Sequence, residues 1–99
     1  MAKLMVLYGH PEDLAAFEEY YANTHTPLVE DIPNLRRFEA GRVIGTADEG
    51  EPPYYWVAEL WFDNVEQLQD SLGSPEGQTV AEDLGNFASG GATLLICES

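Results

Sequence analysis

Two short runs at the ends of the chain, Leu4-Met5-Val6-Leu7-Tyr8 and Leu94-Leu95-Ile96-Cys97, are apolar at every position. A strand with one wet face alternates apolar and polar residues, whereas an unbroken apolar run reads as a strand covered on both faces. Between the two runs the pattern predicts a helix from Pro11 to about Asn23 or Thr24, ended by the bias that Pro27 imposes on the residue before it. A shorter turn is expected over Pro27 to Ile32. Strands are predicted over Leu35 to Gly45 and, most clearly, Tyr54 to Phe62. Asp63 or Asn64 suits the cap of a helix beginning near Val65, and Gly73-Ser74-Pro75 separates it from another over roughly Glu76 to Phe87. The order is β-α-β-β-α-β. Short right-handed connections turn that order into a ferredoxin-like α+β fold with both helical regions on one face of the sheet. The other face then has no cover within residues 1–99, which read as one domain. The simplest cover is a second copy of the same sheet, in an isologous homodimer.

Charge narrows the partners. Eighteen acids against four bases give a net charge of −14 over 99 residues. Such a surface repels phosphate backbones and anionic lipid, so neither nucleic acid nor a membrane surface is an expected partner. No run approaches the roughly 20 apolar residues that span a bilayer. Met1-Ala2-Lys3 leads straight into a strand without a signal-peptide pattern, and the expectation is a cytoplasmic protein. The acids are scattered rather than gathered in a tail, and 44% hydrophobic content argues for a folded chain. One lysine among so many dispersed acids suggests a salt-adapted, halophilic composition; an ordinary acidic protein is the alternative. The single Cys97 has no partner for an intramolecular disulfide and reads as a small core residue.

Phe17-Glu18-Glu19-Tyr20-Tyr21-Ala22-Asn23-Thr24-His25-Thr26-Pro27-Leu28 carries the chemistry. Residues four apart share a helical face, so Phe17, Tyr21 and His25 form a row flanked by Leu14 and Leu28. Helix burial turns this row toward the sheet. The row places a titratable imidazole at the end of an apolar stripe, one turn from a phenol. His25 is a candidate acid–base or orienting group. Its alternative is a cation at a helix C-terminus. Tyr21 is either its hydrogen-bonding partner or a core aromatic. Tyr20, about 100° round the helix, is expected half-exposed or at an interface. Tyr8 and Trp61 are core aromatics or walls of the same cavity. On the third strand Trp56, Ala58, Leu60 and Phe62 share the face expected to meet the helices. Glu59 then points into the second layer, either paired with an arginine across the strands or lining a polar cavity.

The spacing Phe17…Tyr20-Tyr21…His25…Pro27-Leu28, followed by Pro33-Asn34-Leu35, resembles the EthD family. The resemblance implies a dimeric α+β barrel and a broad oxidoreductase label, and it favours a functional His25, which falls on the motif's central position. The favoured reading makes His25 and Tyr21 catalytic, with Tyr8, Phe17, Leu28, Glu59 and Trp61 around an apolar or aromatic small molecule. Two alternatives are a lyase of the polyketide-cyclase or isomerase kind, in which a histidine and a tyrosine move protons, and a non-enzymatic ligand-binding dimer. No cofactor is evident in the sequence. No metal is expected: His10 and His25 stand on the order of 20 Å apart along one helix, and neither dinucleotide-binding nor P-loop glycine patterns occur.

Overall fold

A computed structural model describes residues 1–98. Strands β1 (Ala2–Tyr8), β2 (Arg37–Arg42), β3 (Trp56–Phe62) and β4 (Ala92–Glu98) form one antiparallel sheet in the order β2-β3-β1-β4. Helices α1 (Leu14–Tyr20) and α2 (Thr26–Glu30) precede β2, while α3 (Val65–Gly73) and α4 (Pro75–Phe87) precede β4. This is the ferredoxin-like α+β arrangement. Asn64 caps α3 as expected, accepting from the Gln67 N–H, and Ser74 accepts from Gly77 at the start of α4. The first helix begins later than the expected Pro11: Asp13 is its cap, accepting from the Ala16 N–H, and α1 starts at Leu14. Gly77 lets α4 begin against the end of α3, because a Cβ there would lie 2.1 Å from the Ser71 carbonyl oxygen. None of the described helices is long and apolar enough to cross a membrane.

Residues directly opposite in an antiparallel pair share a face. Ala2, Leu4, Val6 and Tyr8 face Phe62, Leu60, Ala58 and Trp56, and this face packs against the helices. Leu4, Val6, Tyr8, Ala58, Leu60 and Phe62 are each at most 5% exposed. The odd positions Lys3, Met5, Leu7, Val57, Glu59 and Trp61 form the open face and are half-buried. On β4, Leu94, Leu95 and Ile96 are all exposed, so the two-sided apolar run at the C-terminus is only partly covered on either face in the single chain. Cys97 is half-buried on the open face beside Lys3, outside the core.

The first helical region departs from the expected ending near Asn23. It continues through a π-helical turn, Tyr21–His25, into α2. The Thr26 N–H reaches back five residues to the Tyr21 carbonyl. Pro27 falls in the first turn of α2, directly after the π turn. The wider turn has a consequence for side chains. In a plain α-helix each step of four residues overshoots a full turn by about 40°, so three steps drift by about 120°. The π turn absorbs that drift and keeps Phe17, Tyr21, His25 and Val29 all buried. Leu14 does not join them; it is 48% exposed, since three residues before Phe17 it sits about 60° round the helix.

Candidate active site

His25 enters the core from the π turn and is 2% exposed. Its ring lies 4.6 Å from Phe87 and 5.2 Å from Tyr21, centroid to centroid. A buried imidazole needs a partner, and it has one on α4. His25 Nδ1 is 2.8 Å from Asp83 Oδ2. A carboxylate only accepts, so the proton sits on Nδ1 and the imidazole donates. Nε2 is left with its lone pair, on the far side of the ring.

Asp83 is itself buried, at 6% exposed. Its Oδ1 accepts from the Tyr20 hydroxyl at 2.5 Å and from Asn86 Nδ2 at 3.0 Å. With His25 that makes three donors to one carboxylate, drawn from α1, the π turn and α4. Burial pushes the Asp83 carboxyl up, but the hydrogen bonds from Tyr20, Asn86 and His25 together hold it below the ordinary range. Burial pushes His25 down, and the Asp83 contact only partly offsets it. The neutral-pH state is therefore a neutral imidazole oriented by an ionised carboxylate. A base held in one tautomer by a carboxylate is the arrangement of general-base catalysis.

Beside the imidazole lies a cavity of about 40 Å³, lined by Tyr8, Tyr21, His25, Leu60, Leu84 and Leu94 among others. At roughly 10–15 Å³ per water it holds about three waters, or a group of a few heavy atoms. Its walls are apolar apart from the imidazole and the two phenols. The Tyr21 hydroxyl is buried and makes no hydrogen bond. Burial pushes its pKa up to about 12, so it stays protonated across the physiological range.

The structure brings together some of the residues expected from the sequence and separates others. Tyr8, Tyr21 and His25 share the cavity. Phe17 stacks behind Tyr21 at 5.9 Å and meets Tyr8 edge-on at 5.5 Å, supporting the wall rather than lining it. Leu28 lies elsewhere, half-buried near Asp31, Glu76 and Thr79; the π turn hands its place to Val29, which lines the cavity. Glu59 and Trp61 sit on the opposite sheet face. Trp61 is paired with Lys3, an odd position, while Tyr8 is even, and alternation keeps the two apart. Glu59 is bonded to Lys3 Nζ at 3.0 Å rather than to an arginine. Arg37 instead pairs with Glu39 and lies over Trp61.

Asp83 and the role of Tyr20 were not read from the sequence. A signal existed: Val80, Asp83, Leu84 and Phe87 form an i, i+3, i+4, i+7 stripe, and Asp83 is the one charge in it. Taken with the other dispersed acids, it looked like surface. His10 lies outside the cavity; it is exposed, with Nε2 2.9 Å from the Pro52 carbonyl. Among the described residues no group of three or more His, Cys, Asp or Glu side chains is placed to hold a metal ion.

Comparison with known proteins assigns the chain to a family. The EthD domain matches residues 9–91 of the chain, spanning α1 through α4 with all of the His25–Asp83 site. The chain belongs to the EthD family. An 11.0 kDa protein of Rhodococcus erythropolis, described as uncharacterised and from the thcB–thcC intergenic region, is 42% identical over 98 residues, or 99% of this chain and 94% of that protein. The crystal structure of an EthD-family protein from Bacillus halodurans is 40% identical and superposes with a TM-score of 0.92 over 100% of this chain and 98% of the other. More distant structures share the fold alone. A dimeric ferredoxin-like protein of Thermobifida fusca is 12% identical, with a TM-score of 0.73 over 99% of this chain and 90% of its own. The hydroxynitrile lyase of Passiflora edulis is 16% identical, with a TM-score of 0.77 over 97% and 90%. The EthD architecture is thus ferredoxin-like, and the fold has dimeric representatives.

Proposed function

We propose that this EthD protein is an acid–base enzyme, of the lyase or isomerase kind, that moves a proton on a small carbon acid held beside His25. The single observation that carries the reading is the buried hydrogen bond of 2.8 Å between His25 Nδ1 and Asp83 Oδ2. It commits one ring nitrogen to a carboxylate and leaves Nε2 as the base. Depression of the His25 pKa by burial keeps that base unprotonated at neutral pH. The apolar walls suit an apolar ligand, and the small volume calls for a compact reacting group. The oxidoreductase reading rests on the family label; the Asp83–His25 pair speaks for proton transfer. The likeness to a hydroxynitrile lyase supports the fold and no more.

The working form we infer is a homodimer closed over the open sheet face. Half-buried Met5, Leu7 and Val57 and exposed Leu95 support this, since a patch of that kind marks an interface. The test of the proton-transfer reading is deuterium uptake from D₂O into a panel of small ketones, nitroalkanes and nitriles, followed by NMR. At least one compound exchanges faster with wild-type protein than with His25→Gln, and the rate rises with pH to a plateau reached below the ordinary histidine value. Equal exchange by the two proteins, or none by either, overturns the proposal.

A further inference from the structure

Two buried donors near this site have no acceptor. Tyr21 is 3% exposed, its ring forms part of the cavity wall, and its hydroxyl makes no hydrogen bond. The indole Nε1–H of Trp56 is likewise buried and unpaired, on a ring 5.2 Å from that of Tyr21. Leaving a buried donor unsatisfied is costly, so such groups are rare unless something fills the gap. Here two occur side by side. A third donor is at hand: Tyr8 lines the same cavity, its ring 5.8 Å from that of Tyr21. Burial outweighs the pull of Trp56 and Tyr8 on the Tyr21 oxygen, so the phenol keeps its proton, and neither neighbour closes a hydrogen bond with it. A protonated phenol without an acceptor of its own is suited to donate to an oxygen that develops negative charge.

We propose that Tyr21, backed by Trp56, is the oxygen subsite of this cavity, and that the ligand is a small enolisable carbonyl compound with an apolar body. The inference rests on the acid–base reading and gives it a substrate class. The Tyr21 hydroxyl donates to the carbonyl oxygen, and the apolar remainder lies against Leu60, Leu84 and Leu94. His25 Nε2 takes the proton from the carbon next to the carbonyl. The electron pair of the broken C–H bond forms the C=C of an enolate, and the negative charge moves to the oxygen held by Tyr21. Return of the proton from the imidazolium to carbon or oxygen restores the charge balance, with no electron acceptor consumed. Tyr21 is placed to donate throughout, because its own ionisation is suppressed by burial.

The test is a binding measurement and does not require turnover. Butan-2-one and its isostere 2-methylbut-1-ene, in which CH₂ replaces the oxygen, are titrated into ¹⁵N-labelled full-length protein. The same titrations are run on His25→Gln, Tyr21→Phe and Trp56→Phe. Expected are a downfield shift of the Trp56 indole N–H, an unmoved Trp61 indole, and about a tenfold preference for the ketone. Tyr21→Phe removes that preference without weakening alkene binding, and Trp56→Phe reduces it. His25→Gln retains it, so failure of the base and failure of the oxygen subsite are read separately. Tyr21→Phe deletes an unpaired hydroxyl at constant ring size, and its melting point reports that the fold persists. Equal affinity for ketone and alkene, a stationary Trp56 N–H, or an unchanged preference in Tyr21→Phe each overturns the proposal. A bound water that the ketone cannot displace gives the stationary signal.

Discussion

The two faces of one sheet treat a carboxylate in opposite ways. On the helix face, Asp83 is buried and takes three hydrogen bonds, one of them from a buried histidine. On the open face, Glu59 is half-exposed and takes one ammonium, that of Lys3. Both acids belong to amphipathic stretches of similar appearance. What separates them is dielectric surroundings. Away from water a carboxylate must be fully satisfied, and the groups that satisfy it become rigid and oriented. At a wet surface a single ion pair suffices and is worth little. The helix face therefore holds buried polar groups in fixed orientation, while the open face keeps its ion pair in water.

The strongest test of that contrast compares an aromatic on each face. Phe87 touches the rings of Tyr8, Phe17, Tyr20, Tyr21 and His25. Phe87→Ala is expected to cost about 3–5 kcal/mol, enough to unfold a small domain in moderate urea. Trp61→Ala leaves the fold standing and shifts light-scattering mass from dimer toward monomer on dilution. An equal loss of chain stability from both, with no change of mass for Trp61→Ala, would break the distinction between core and contact face.

Next in size is the orientation of the base. Asp83→Asn keeps the shape but offers an amide that favours the wrong tautomer of His25, and proton transfer is expected to fall by about 10³–10⁴. Glu59→Gln changes the rate little. Exchange kinetics on whichever carbon acid the wild type turns over would show it; matching losses at the two positions would remove Asp83 from its role.

A smaller effect is predicted in pH. The folded His25 pKa lies below its ordinary 6.5 because burial disfavours the cation. The unfolded chain therefore binds the proton more readily. Stability is fully present above about pH 6.5 and is lost as pH falls through the folded value. Asp83, whose pKa is lowered from 3.8, adds a second loss at more acid pH. Thermal melts from pH 7.5 to 5 should show a fall that His25→Gln removes. A slope that survives the substitution would assign the effect elsewhere.

Smallest is the open-face ion pair. Lys3→Met or Glu59→Gln should change stability by no more than about 1 kcal/mol. Screening acts on the whole acidic surface instead: with a net charge of −14, the melting temperature should rise between low and molar salt. A flat or falling salt series would remove self-repulsion as a factor in this fold.

The sequence by itself determined the order of elements, the ferredoxin-like topology, the two-sided apolar strands, and His25 and Tyr21 as members of one row. Each follows from local periodicity or from a cap, such as Asn64, which neighbouring residues decide. It also carried the alternation that sends Glu59 and Trp61 away from Tyr8. That alternation cannot assign a cavity to either face until register sets β1 against β3. Only the tertiary structure decided three things. The π turn runs through the expected helix end and moves Val29, not Leu28, into the wall, because pairing a carbonyl five residues on depends on what the helix packs against. Asp83 leaves the crowd of surface acids because α4 crosses the π turn at that residue, and a contact across 58 positions has no local signature. The Tyr21 hydroxyl and Trp56 N–H are left without a protein acceptor because rings from β1, β3 and the first helical region, rather than polar groups, pack around them. Such an unmet need is a property of the packed core, where distance and solvent exclusion act together, and it has no counterpart in the order of residues.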